Sequence, residues 1–312
     1  MPIHPRIAEI LATLPPQDHS APPDPGALRA AEAARVPAPA DRLPLHAVED
    51  VTAATAEGDV PVRIYTPAAA DAYGLLVYFH GGAFFSGSLD THDAVARSLA
   101  KETGHKVVSV GYRLAPEAAH PAGLRDCYGV VRWAAEHGAE LKWDGGNLAV
   151  AGDSSGGTFA AAVTALAHDD GFDRITHQVL YYPSVDLDFD GALDEGRYPS
   201  LRENAEGYGL ETAGLKPFNS FLLDGGADPA DPLVSPVRRA DLTGLPRALV
   251  VTAEYDPLRD EGELYGRRLA EAGVETTVSR YAGANHGFVV NFAWIAEYGR
   301  VFAQTAEFLT RR

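Results

Sequence analysis

The chain has 312 residues, longer than most single domains, yet α/β architectures often run this long as one unit, so it reads as one core domain carrying a cap. A formal net charge of -17 repels phosphate backbones and anionic membrane surfaces, which argues against nucleic-acid and membrane partners and otherwise fits solubility or adaptation to salt. Its single cysteine, Cys127, cannot form an internal disulfide.

The opening stretch, MPIHPRIAEILATLPP, has too short an apolar run and too many prolines for a signal peptide or a membrane anchor, so a soluble cytoplasmic protein is expected. From Ala21 to Leu45 the chain is rich in Ala and Pro, and DPGALRAAEAARVP suggests one short helix between proline breaks. Residues 1–45 are therefore taken as an N-terminal cap segment. LHAVEDVTAAT and VPVRIYTP alternate loosely around Glu57-Gly58-Asp59, which suits an antiparallel pair at a sheet edge.

The pattern then changes. Gly74 to His80, Lys106 to Tyr112, Asn147 to Ala151, His177 to Tyr182, Arg247 to Ala253 and Thr276 to Tyr281 are short, apolar, β-branched-rich runs that read as buried strands. Helical patterns lie between or after them: Ala94 to Glu102, Leu124 to Glu136, Thr158 to Ala167, Leu258 to Ala272, and about Ala293 to Leu309. The alternation implies an α/β fold with a mainly parallel, twisted central sheet flanked by helices. Leu124, Cys127, Val130, Val131 and Ala134 recur at helical intervals, so Cys127 is expected to pack in the core rather than to act as a nucleophile. Val185 to Pro236 shows no convincing core strand, and residues 185–236 are expected to form a cap insertion between core segments 46–184 and 237–312.

Gly152-Asp153-Ser154-Ser155-Gly156-Gly157 matches G-x-S-x-G between a strand ending at Ala151 and a helix beginning near Thr158, the context of a nucleophile elbow. A serine on so sharp a turn needs glycine two places before and two after it, where a Cβ would clash. Ser154 stands at the tip. Ser155, one place past it, is the weaker candidate. The following helix aims its free N–H groups and positive dipole end at the same spot.

His80-Gly81-Gly82-Ala83 follows the first buried strand directly. Backbone N–H groups of Gly81, Gly82 or Ala83 could combine with that of Ser155 to bind a developing oxyanion, while His80 braces the loop. Asp256 and His286 both follow later strands, and in a parallel sheet the carboxyl ends share the edge where ligands bind. Glu254 and Asp260 are the alternative acids; Glu254 lies in or beside the strand and Asp260 already in the helix, which favours Asp256. His92, His105, His120 and His137 lack a glycine turn at a strand end and read as surface or cap-facing residues. No H-E-x-x-H or paired-cysteine motif suggests a metal.

HGGAFFSGS, YRLAPE from Tyr112 to Glu117, GDSSGG, YDPLRDEG and NHGF occur in one order, and from about Leu75 onward the chain resembles the hormone-sensitive-lipase-like family of bacterial esterases. The resemblance implies an α/β-hydrolase fold with a helical cap, and a cofactor-free carboxylesterase acting on short to medium acyl esters. Ser154, Asp256 and His286 would form its triad. It also implies a homodimer through the last strand. Ala83 stands where the family more often has a third glycine, and Ser155 where it more often has alanine; both would donate through backbone, so the hole should survive, with Ser155 altering how water or the acyl group sits there.

Phe84, Phe85, Tyr182, Tyr208, Leu215 and Phe288 flank these loops or occupy the insertion and are candidate walls of a substrate pocket. Two other readings stay open: cleavage of an amide, thioester or lactone by the same groups, and a non-catalytic ligand-binding protein on the same fold.

Overall fold

The computed structural model describes residues 2–19 and 23–310; Ala21, where the Ala/Pro-rich segment begins, lies outside them. In chain order the elements are α1 (Pro5–Leu11), α2 (Pro25–Ala33), β1 (Ala47–Thr55), β2 (Gly58–Thr66), β3 (Tyr73–Phe79), α3 (Asp93–Thr103), β4 (Lys106–Val110), α4 (Ala122–Glu136), β5 (Trp143–Asp153), α5 (Ser155–Asp169) and β6 (His177–Tyr181). There follow α6 (Phe189–Asp194), α7 (Ser200–Glu203), α8 (Thr212–Leu223), β7 (Arg247–Tyr255), α9 (Arg259–Glu271), β8 (Thr276–Asn285), α10 (Phe288–Asn291) and α11 (Ala296–Thr310).

The strands form one sheet in the order β1-β2-β4-β3-β5-β6-β7-β8. β1 pairs antiparallel with β2, and β2 antiparallel with β4; every other neighbour is parallel. The sequence dictates this division. β4 and β6 are buried at every position because helices cover both faces of the sheet there, so continuous apolar runs serve where alternation would not. β1, at the edge, buries only Ala53, and its turn into β2 uses Gly58 at φ +118°.

Two cores sandwich the sheet. On one face Leu124, Val130 and Val131 of α4, Phe159 and Val163 of α5, and Tyr265 and Leu269 of α9 pack together; on the other, Val95 and Leu99 of α3 meet Val301 and Phe308 of α11. Cys127 is fully buried in the first core, and burial pushes its thiol well above the ordinary range. Ile7 of α1 is fully buried in the second, and His4 N–H donates to the Gly283 carbonyl at 2.9 Å. The opening segment therefore contributes a helix and a core residue that its short apolar run did not suggest.

Residues 185–236 contribute three helices and no strand to the sheet. They lie, with α2, at the carboxyl ends of the parallel strands. Among the described residues no helix is long and apolar enough to cross a membrane.

Candidate active site

β5 ends at Asp153 and α5 begins at Ser155, leaving Ser154 between them at φ 53° and ψ -121°, a conformation that L-residues rarely adopt. A Cβ on Gly152 would lie 2.1 Å from the Gly156 carbonyl oxygen, and one on Gly156 would lie 2.1 Å from that of Phe79. Only glycine at both positions lets strand, turn and helix close so tightly, and the tightness is what lifts Ser154 out at the tip.

Asp256 follows β7 and His286 follows β8, at the same edge. The fully buried Asp256 accepts the Leu258 N–H on Oδ1 at 2.8 Å, and its Oδ2 lies 2.8 Å from His286 Nδ1. A carboxylate has only acceptors, so Nδ1 carries the proton and the Nε2 lone pair faces Ser154 Oγ, 3.0 Å away. The alternative acids point elsewhere: Glu254 accepts the Gly283 N–H at 2.7 Å, and Asp260 accepts the Ser200 N–H at 2.8 Å beside Arg259. The insertion supports the Asp256 turn, since Asn204 Nδ2 donates to the Asp256 carbonyl at 3.0 Å and Ser200 Oγ to that of Pro257 at 2.7 Å. Tyr182, itself at φ 36°, packs its ring 4.8 Å from the His286 ring.

The loop after β3 needs one correction. The Gly81 N–H donates to Asp153 Oδ1 at 2.9 Å, so it is already engaged and cannot serve a ligand. The N–H groups of Gly82, Ala83 and Ser155, by contrast, donate to nothing among the described residues, and all three residues line the cavity. Gly82, Ala83 and Phe84 take φ values of +126°, +48° and +68°, a run of left-handed backbone that turns successive N–H groups inward. The Ser155 hydroxyl accepts the Phe84 N–H at 3.3 Å, tying the elbow to this loop.

Sequence reasoning missed the groups beneath. Asp153 is buried and accepts from Tyr78 Oη at 2.5 Å as well as from Gly81 N–H, with His92 Nε2 3.6 Å away. Burial would raise its carboxyl, but His92, Tyr78 and the Gly81 N–H hold it below the usual carboxylate range. Burial pushes His80 down to about 3, so its neutral ring donates through Nδ1 to the Gly81 carbonyl at 2.8 Å and stacks on Tyr112, whose hydroxyl donates to the His80 carbonyl at 2.7 Å. His105 is buried rather than at the surface, and His92, also buried, borders the cavity. An acid immediately before the elbow serine was the one available signal for this network.

Above Ser154 and His286 lies a cavity of about 440 Å³. Phe84, Phe85, Tyr182 and Leu215 stand on its wall, together with Leu28 of α2 and Phe218 of α8. Tyr208 and Phe288 do not. Tyr208 packs on Tyr255, 4.6 Å between ring centroids, and Phe288 is fully buried among Tyr182, Tyr281 and Tyr298. Phe288 is adjacent in sequence to His286 and Tyr208 lies in the insertion, but neither borders the cavity.

Fold and site together define a hydrolase with a Ser-His-Asp constellation at the carboxyl edge of a parallel sheet. Residues 76–290 match the family model described as alpha/beta hydrolase fold. Carboxylesterase NlhH of Mycobacterium tuberculosis is 41% identical over 242 residues, covering 76% of this chain and 73% of that protein. Esterase LipI of the same species is 40% identical over 257 residues, covering 80% and 78%. The solved structure of a hyperthermophilic esterase from the archaeon Pyrobaculum calidifontis superposes with a TM-score of 0.88 at 38% identity, covering 99% of this chain and 98% of that one. The chain belongs to the hormone-sensitive-lipase-like esterases of the alpha/beta hydrolase fold.

Proposed function

We propose that this carboxylic ester hydrolase cleaves short to medium acyl esters by way of an acyl-enzyme formed on Ser154. Ser154 Oγ attacks the ester carbonyl as its proton passes to His286 Nε2. The alkoxide leaves with that proton, and a water deprotonated by the same nitrogen then attacks the acyl carbonyl to release the acid and restore Ser154. Asp256 holds the imidazole in the tautomer that accepts at Nε2. The N–H groups of Gly82, Ala83 and Ser155 receive the negative charge of both tetrahedral intermediates, aided by the N-terminus of α5. No metal or organic cofactor has a part in these steps.

The observation that carries this reading is the continuous contact from Asp256 Oδ2 through His286 to Ser154 Oγ, at 2.8 and 3.0 Å. The size of the cavity and its apolar wall support a small acyl group. Residues 1–45 and 185–236 would act as the cap over the core of 46–184 and 237–312, since α2 and α8 supply walls of that cavity.

The test is steady-state turnover of p-nitrophenyl esters of increasing acyl length beside a matched anilide. Ester turnover should fall by on the order of 10³-fold or more in Ser154→Ala, with the anilide a poor substrate throughout. Near-normal ester turnover in Ser154→Ala refutes the mechanism. A preference for long chains refutes the substrate range, and a faster anilide turns the assignment toward amides.

A further inference from the structure

Helix α2 contains no fully buried side chain. Leu28, Arg29 and Glu32 are half-buried and spaced so that they share one face; Leu28 and Glu32, with half-buried Val36 just beyond the helix, border the cavity. Its polar contacts reach two neighbouring loops, 85–87 and 115–117. Arg29 Nε donates to the Phe85 carbonyl at 2.6 Å and Nη2 to that of Ala115 at 2.9 Å, while the guanidinium pairs with both oxygens of Glu117 at 2.7 and 2.9 Å. Glu32 Oε1 accepts from Ser86 Oγ at 3.0 Å, and its Oε2 accepts the Gly87 N–H at 3.1 Å.

These contacts meet a particular need of the loop. Gly82, Ala83 and Phe84 all have positive φ, and the turn is closed by Phe85 and Ser86 N–H groups donating to the Gly82 carbonyl at 3.0 and 2.8 Å. Two of its residues at positive φ are not glycine, so the conformation is strained and persists only where the surroundings impose it. From behind, the Ala115 N–H donates to the Phe84 carbonyl at 2.9 Å. On the open side the Phe85 carbonyl and the Gly87 N–H have no other partner among the described residues than Arg29 and Glu32.

We propose that Arg29 and Glu32 are positioning residues: through Phe85, Ser86 and Gly87 they hold Gly82 and Ala83 in the donor-presenting shape, so that α2 couples access to the cavity with readiness of the oxyanion site. This rests on the assignment of Gly82 and Ala83 as oxyanion donors. With so little apolar burial, the position of α2 depends on these charge-assisted hydrogen bonds, and lifting it both opens the cavity and frees the loop. The Arg29 hydrogen bond holds Glu117 at about 2, so that pair stays ionised at any working pH.

The experiment measures kcat, KM and the Ki of an arylboronic acid, whose serine adduct places an oxygen in the oxyanion site, for Arg29→Ala, Glu32→Ala and Glu32→Gln with a short-chain p-nitrophenyl ester. Leu28→Ala, on the same helix face, reports loss of wall alone. Loss of donors that act in the transition state lowers kcat and kcat/KM together, so the two alanine variants should lose about 10-fold in both and bind the boronate correspondingly more weakly. Glu32→Gln, isosteric and able to keep one acceptor, should lie between Glu32→Ala and the unaltered enzyme, which also guards against a folding artefact. Leu28→Ala should raise KM with kcat kept. If Arg29→Ala and Glu32→Ala behave like Leu28→Ala, with kcat intact, the coupling is refuted while the triad stands. If Ser154→Ala stays active, it is the underlying mechanism that fails.

Discussion

From Gly152 to Gly157 every residue but Ser154 is buried, whereas α2, closing the same cavity from the opposite side, buries none of its side chains completely. The elbow is held by backbone packed on backbone, with the Gly156 Cα against the Phe79 carbonyl and the Gly152 Cα against that of Gly156. The roof is held by side chains that can let go. The groups assigned to bond breaking are thus fixed by the sheet itself, and those assigned to admission are fixed by contacts that water can replace. Changes on the two sides should therefore differ in kind: substitutions below affect kcat or folding, and substitutions above affect which substrate is admitted and, through α2, how well the loop is presented.

The largest effect should come from Asp256→Asn. Its amide can present the wrong hydrogen-bonding partner to His286 Nδ1, and kcat should drop by about 10³- to 10⁴-fold while the melting temperature stays within a few degrees. A loss of only a few-fold would mean that the imidazole is oriented by something else. Next is Gly156→Ala, whose Cβ has no space; chemical denaturation should register a loss of about 3 kcal/mol or more. If stability were unchanged, the elbow would be far more compliant than its geometry says.

On the upper side, Leu215→Ala should enlarge the cavity and shift the ratio of kcat/KM for longer over shorter acyl chains upward by about 10-fold. An unshifted ratio would place the acyl chain elsewhere. The smallest effect concerns Glu261 of α9. Burial first, then the charge of Asp186, pushes its carboxyl well above the ordinary range, against N–H donors from Val185 at 2.8 Å and Asp186 at 3.4 Å. A carboxyl raised in the fold contributes stability that is complete below its unfolded value, near about 4.3, and is lost as pH climbs toward its folded one. Glu261→Gln lacks that titration, so its melting temperature should improve relative to the unaltered protein as pH rises above about 4. A gap independent of pH would mean that the buried carboxyl is ionised.

Much of this was legible from residue order, because the features concerned are local. A strand followed by G-x-S-x-G and a helix forces an elbow. Glycine, acid and histidine turns after successive buried runs arrive at one edge once the sheet is parallel, which accounts for Ser154, Asp256 and His286. What failed depended on contacts between distant segments. Gly81 seemed as free as Gly82 until its N–H met Asp153, 72 residues later in the chain. Phe288 neighbours the His286 loop and Tyr208 sits in the insertion, but neither kind of position says which side a ring takes. β5 begins at Trp143 instead of Asn147 because Gly145 and Gly146 interrupt the apolar run without ending the strand. Arg29 and Glu32 lie in an Ala-rich helix with nothing to distinguish them until their acceptors and donors in the loop are known.

The lone thiol of Cys127 gives the chain a built-in stopwatch. Sealed between α4 and the sheet, with its ionisation suppressed by burial, it is shielded from an aqueous alkylating reagent until the main core parts. The rate at which it is modified therefore times core opening, whereas motions of the roof alone leave it silent. Loosening of α2 can thus be told from loss of the core without adding any label.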